Sequence, residues 1–279
     1  MRQMITKDKL EHLYHRYNRR KFVHPDPLEF LYRYERLCDR EIVAFVASSL
    51  AYGRVAQILK SVSRVLERMT PSPWVFLNKA SAGRIRRTFD GFKHRFTTGE
   101  DLSAMLVGIK YLLKRHGFLH ACFAEGLKDD DTILPALCAF TEKLTAGADG
   151  PLQHLVPSPQ KGSACKRLNL FLRWMVRRDE VDPGGWEKIS PSTLIVPVDI
   201  HMHRIGLLVG LTKRRQADMR TAVEITKGFR AVAPDDPVKY DFSLTRLGIR
   251  GDVDLGGLLK KARERQRAFY SSLCSITTL

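Results

Sequence analysis

The sequence predicts an all-α protein. Apolar residues recur at steps of three and four along most of the chain, no stretch alternates apolar with polar residues as a half-buried strand does, and there is no internal repeat. Residues 1–35 read as helices, with Leu10, Leu13 and Tyr14, then Leu28, Phe30, Leu31 and Tyr34, at helical spacing and Pro25 and Pro27 breaking the two. Asp39 then opens a helix, REIVAFVASSLAY. Its apolar positions Ile42, Val43, Phe45, Val46 and Leu50 surround nearly the whole cylinder, which implies a central, buried helix. Tyr52-Gly53-Arg54 interrupts it, and VAQILKSVSRVLERM resumes the helical period up to Pro71. Further helices are expected over 102–115, 132–144, the string KGSACKRLNLFLRWMVRR, 217–233, 240–247 and a basic C-terminal segment, 255–270. Residues 147–162, with Pro151, Pro157 and Pro159, form the longest linker-like stretch, and residues 76–149 say little beyond "helical".

At 279 residues the chain can bury a substantial core, and 44% hydrophobic with 28% charged residues is ordinary globular composition. No apolar run approaches the roughly 18 residues of a membrane span, so no membrane partner is expected. The first residues, MRQMITKDKLEHLYHRYNRRK, carry charge throughout and do not read as a secretory signal. Cys38, Cys122, Cys138, Cys165 and Cys274 form no CxxC pair, which suits a reduced, cytoplasmic setting. The charge is less ordinary. Forty-seven basic residues against 30 acidic ones give +17 and a pI near 9.9, a balance that favours a polyanionic partner, nucleic acid first. Lys79, Arg84, Arg86, Arg87, Lys93 and Arg95 crowd residues 79–96 against Asp90 alone, and a second basic run spans 161–178.

The most informative stretch is residues 195–211, IVPVDIHMHRIGLLVGL. Asp199 precedes an apolar-periodic segment, as an N-cap does when its carboxylate accepts from the first free backbone N–H groups. Asp199, His201 and His203 also spell D-x-H-x-H, which invites a metal-hydrolase reading. On a helix His201 points away from the other two, and no second cluster completes a site, so no metal is expected.

The string VPVDIHMHR resembles the V-P-V-D-T-H-V-x-R segment of the helix-hairpin-helix DNA glycosylases, the superfamily of endonuclease III and the 8-oxoguanine glycosylases. Pro197, Val198, Asp199, His201 and Arg204 match in register; Ile200 and Met202 depart from it. The resemblance implies that Asp199 is the catalytic carboxylate and that Lys166, on the helix after Gly162-Ser163, is the nucleophile of a bifunctional member. It implies DNA contacts at Lys161, Gly162, Ser163, Arg167 and Arg204. The string SSLAYGRVAQI is similar to the glycosylase loop that inserts into the duplex, which would give Tyr52, Gly53 and Arg54 that task. The L-P-G-V-G-x-K hairpin is replaced by VPSPQKGSACKRL, with one glycine where the family has two. The four cysteines of an iron–sulfur cluster are absent after DFSLTRLGI, so no such cofactor is expected. The strings GSACKRLNLFLRWMVR and DPVKYDFSLTRLGI resemble an uncharacterised bacterial family placed near the glycosylases.

Together these readings predict an all-α, two-domain glycosylase-like fold. One helical barrel domain would span 36–195, and 1–35 plus 196–279 would form a discontinuous second domain, with the active site in the cleft between them. The expected function is excision of a damaged base from double-stranded DNA, with or without lyase action, by a monomer in the cytoplasm beside the nucleoid. The alternative is a non-catalytic nucleic-acid binder on the same fold.

Overall fold

The computed structural model describes residues 6–250 apart from residue 153, with side chains to Arg246; the helix expected over 255–270, and Cys274, lie outside the described residues. The described chain is mostly helical. Helix α1 spans Lys7–Tyr17, α2 Leu37–Ser49, α3 Val55–Glu67, α4 Pro73–Lys79, α5 Ala82–Phe89 and α6 Gly99–His116. They are followed by α7 (Leu119–Ala124), α8 (Leu134–Gly147), α9 (Lys166–Val176), α10 (Ile200–Leu208), α11 (Met219–Arg230) and α12 (Asp241–Arg250). Two short strands, β1 (Lys93–His94) and β2 (Thr97–Thr98), pair antiparallel with His94 opposite Thr97. The sequence had no periodic signal for so short a hairpin. The second N-terminal element is a 3-10 segment, Pro27–Arg33, begun by Pro27 and capped by the Asp26 carboxylate, rather than the helix that the spacing suggested.

Helix α2 lies at the centre, as an all-round apolar helix should. Ile42, Val43, Ala44, Phe45, Val46 and Ala47 are fully buried, and the helix packs on α9 and on the Pro27–Arg33 turn. Phe45 meets Phe171 of α9 edge-on at 5.2 Å and Phe140 of α8 at 5.9 Å. A second layer is built on α6, which touches α4, α5, α7 and α8. Its start is fixed by a capping box in which Thr98 and Asp101 exchange hydrogen bonds. Asp39 does not begin α2, which starts at Leu37; its buried carboxylate accepts from Ser72 Oγ at 2.6 Å and from the N–H of Trp74 at 2.9 Å, so it secures α4 instead.

Buried charge ties the ends of the chain to this core. Glu41 accepts from the N–H groups of Leu119 and His120 and from Trp186 Nε1, joining α2 to α7 and to the loop before α10. On α9, Arg173 donates to Asp182 and to Asp241, while Arg177 donates to Asp182 and Asp236. Burial opposes the charge on both guanidinium groups, but the carboxylates beside them outweigh it and hold both protons more firmly than in free arginine. The first and last described helices meet: α1 packs on α12, and α10 packs on α12 as well.

Removing one member of such a buried set leaves an uncompensated charge. Arg173→Met should therefore destabilise the protein by about 3–5 kcal/mol. The exposed pair Arg86–Asp149 should matter far less, with Arg86→Ala costing about 1 kcal/mol or under. Urea denaturation of the two variants, with equal m values, checks the contrast.

Candidate functional site

The chain enters α9 without a preceding helix. From the end of α8 it runs through irregular backbone to a single 3-10 turn, Pro159–Lys161, and Gly162 then turns left-handed with φ 81°. Ser163 forms an isolated bridge with Asp218, and the N–H of Met219 donates to the Gly162 carbonyl at 3.0 Å, so the start of α11 is stitched to this turn. Ser163 is not the cap of α9. Its hydroxyl accepts from the N–H of Cys165, and Cys165, itself left-handed at φ 47°, occupies the cap position. The Cys165 thiol points at the Pro157 carbonyl, and burial pushes it up to about 11, which removes it as a nucleophile at neutral pH.

Lys166 is the first residue of α9, and Asp199 caps α10. The carboxylate divides its work between its two oxygens. Oδ1 accepts from the N–H groups of His201 and Met202, each at 2.9 Å, while Oδ2 lies 3.6 Å from Lys166 Nζ. Both side chains are partly open, 32% and 26% exposed, so the pair can be reached by a ligand. It stands in the wall of an open cleft of about 630 Å³. One side of the cleft is Ala51, Tyr52, Gly53 and Ile58; another is 162–167; the third carries Asp199, Ile200, His201, Ala217 and Asp218. Behind the pair sits Asp241, fully enclosed; burial pushes its carboxyl up to about 6 against the pull of Arg173.

Of the residues singled out in the sequence, Tyr52, Gly53, Gly162, Ser163, Lys166, Arg167 and Asp199 therefore line one cleft. Arg54, which precedes α3, and Lys161 and Arg204 are exposed, and none of the three is in the described cleft lining. Arg167 is committed internally: its guanidinium donates to the carbonyls of Ser49 and His154 and lies 5.1 Å from the Tyr52 ring centre. The Tyr52 hydroxyl is likewise engaged, with the His94 carbonyl at 3.0 Å and Thr97 Oγ1 at 2.5 Å. Gly53 has φ 96°, and a Cβ there would come within 2.7 Å of Arg95 Cδ, so the β1–β2 hairpin sits directly on this turn. The D-x-H-x-H string does not converge. The His203 ring is taken up by the Arg214 carbonyl at 2.8 Å, and among the described residues no cluster of three or more His, Cys, Asp and Glu could hold a metal ion.

Asp218 was missed, although an acid before the apolar period of MRTAVEI is the same cap signal as Asp199. His201 and Ile200 were seen only as members of a motif, not as cleft walls. Phe96, which stacks on Tyr52 at 5.0 Å, lies in a segment with no periodic signal at all.

These features define a helical protein with an amine–carboxylate pair in the wall of an open cleft. The chain belongs to the family described as a protein of unknown function, DUF2400, whose model matches residues 26–250. No curated protein and no solved structure matches it. Membership of the helix-hairpin-helix glycosylases, implied by the VPVD string, is thereby corrected, because DUF2400 is the family matched and no glycosylase or hairpin family is. The geometry gives a reason for the mismatch. Where that motif needs two helices joined by a glycine hairpin, the described residues of 148–165 are irregular apart from the turn at Pro159–Lys161, and the second left-handed residue is a cysteine.

Asp218 offers a test of the local structure with a defined pH signature. Burial opposes its charge, but the Thr221 N–H and the Arg214 guanidinium prevail and lower the carboxyl from 3.8 to about 2. An acid whose folded pKa lies below its unfolded one contributes stability above the unfolded value, and that contribution is lost as pH falls through the folded one. Asp218→Ala should cost about 1 kcal/mol at neutral pH, the usual effect of losing an N-cap. The difference from the parent protein should shrink as the pH falls from 3.8 to about 2, measured by chemical denaturation across that range.

Proposed function

We propose that the protein acts on DNA and removes a base from the sugar, with Lys166 as nucleophile and Asp199 as the carboxylate that assists it. The observation that carries this reading is the approach of Lys166 Nζ to Asp199 Oδ2, 3.6 Å apart in the wall of an open cleft. Breaking a glycosidic bond builds positive charge on the sugar. A carboxylate fixed in place beforehand stabilises that charge without reorganising at the moment of reaction. Asp199 meets the requirement because Oδ1 is held by two backbone N–H groups while Oδ2 faces Lys166 in the wall of the cleft. The Lys166 amine would attack the anomeric carbon, and the bond to the base would break with its electron pair leaving on the base. After the new ammonium loses a proton, the nitrogen lone pair would open the sugar ring, the C1′–O4′ bond breaking with its electron pair and a proton going to O4′, to give the Schiff base.

The net charge of +17 supports DNA as the ligand, through phosphate neutralisation. No helix among the described residues is long and apolar enough to cross a membrane. The reading therefore puts the protein with DNA in the cytoplasm, acting as a monomer. On the same reading 36–195 is one unit, which holds Lys166, and the described residues of 1–35 with 196–279 are the other, which holds Asp199.

Two outcomes are expected. DNA affinity should fall steeply with salt, since each phosphate neutralised on B-DNA releases about 0.9 counterion; a titration that stays flat from low to moderate salt overturns DNA binding. Borohydride should trap a covalent complex between the protein and a duplex carrying an abasic site or an excisable lesion. Lys166→Gln should abolish trapping, and Asp199→Asn should slow excision by about 10²–10³, the effect of losing one preorganised charge. Trapping at parental yield in Lys166→Gln refutes Lys166 as nucleophile. A parent protein that binds DNA yet gives no product on any lesion becomes a non-catalytic binder.

A further inference from the structure

We propose that Phe96 is a stacking face for an unpaired nucleobase, so that the protein selects DNA in which a base has already left the helix. The inference rests on DNA as the ligand of the cleft, and it adds the structural state of that DNA. Phe96 is 61% exposed, whereas Phe92 in the same segment is 3% exposed. The register of the hairpin is the cause. His94 and Thr97 face inward as a pair, so the two turn residues between them, Arg95 and Phe96, are carried outward. Arg95 holds φ 55°, a conformation that favours glycine, so the turn presents its side chains at a conformational cost.

The outward ring is not loose. It lies on Tyr52, 5.0 Å between centres and 25° between planes, and meets the edge of His154 at 5.2 Å. Tyr52 is in turn fixed by its hydroxyl bonds and by Arg167. The stack therefore ends in Phe96, and Phe96 is its exposed member. Tyr52 also lines the cleft that holds Lys166 and Asp199, which places the stack at the edge of that cleft. Ile200, 77% exposed, stands on the wall that carries Asp199, so a second apolar side chain is presented to whatever enters. Around the hairpin Lys93, Arg95 and Arg54 are exposed, and the acids that flank it, Asp90 and Glu100, lie outside residues 91–98. An aromatic face bordered by cations takes a base on the ring and the adjoining phosphates on the cations, and any base serves because every base has a π-face.

The test is fluorescence anisotropy with two labelled duplexes of one sequence, one fully paired and one with a single bulged adenine. The parent protein should bind the bulged duplex about tenfold more tightly, in the range found for one base stacked on an aromatic side chain. Phe96→Ala should lose that preference while keeping its affinity for the paired duplex, and Phe96→Trp should retain it; circular dichroism of each variant confirms the fold. A parent protein without the preference, or a Phe96→Ala variant that keeps it, overturns the proposal. The parent protein separates the two readings. If it gives no trapped product yet prefers the bulge, excision fails and stacking stands; if it is trapped without preferring the bulge, stacking alone fails.

Discussion

Arg173 and Arg177 carry two positive charges, each side chain 4% exposed, into the interior from the last turn of α9 and the residue that follows it. Each buried ion costs several kcal/mol unless it is paired and its hydrogen bonds are made. The elements around α9 supply the answer from separate parts of the sequence. Asp182 comes from the loop after α9, Asp236 and Asp241 from the approach to α12 and its first residue, and Asp179 adds a further carboxylate that also accepts from Tyr14 of α1 at 3.1 Å. None of these acids is placed unless its own segment is folded. The network therefore makes the positions of α1, α9 and α12 depend on one another.

That dependence reaches the cleft. Lys166 precedes Arg173 by about two turns on the same helix, so fixing Arg173 fixes the height and rotation of Lys166. Asp199 starts α10, and α10 packs on α12, whose first residue holds Arg173. The 3.6 Å approach of amine to carboxylate is thus set by two helices that share one anchor. Glu41 does similar work on the far side by tying α2, α7 and Trp186, and α2 is the helix against which α9 rests.

Much of this was legible in the sequence where a local rule and the tertiary structure agree. The central position of α2 followed from its all-round apolar surface, and Asp199 as an N-cap followed from an acid ahead of a helical period. The pairing of Lys166 with Asp199 came from a family resemblance that the family match overturns, so local chemistry, not ancestry, now carries that pair. Other features were hidden because tertiary partners decided them. Asp39 looked like the start of its own helix and instead serves α4; Arg167 looked like a phosphate contact and instead donates to two carbonyls. The β1–β2 hairpin has too few residues for any period to register. Its position over Gly53 depends on a contact between residues 42 apart, which no window along the chain can contain.

The helix starts at the cleft are arranged without a glycine-rich hairpin. A glycine hairpin exposes backbone N–H groups to an anion, and the helix N-terminus adds its partial positive charge. In this chain the N-termini of α10 and α11 are already filled by their own carboxylates, Asp199 and Asp218. The entry to α9 lacks a side-chain cap and leads instead with Lys166. The three helix starts that line the cleft thus bring one amine, paired with Asp199, and two acids already engaged as caps, in place of a cradle of free N–H groups. With those N–H groups taken by carboxylates, the amine of Lys166, paired with Asp199, is what the start of α9 brings to the cleft, while Arg54, Lys161 and Arg204 stand exposed outside its lining.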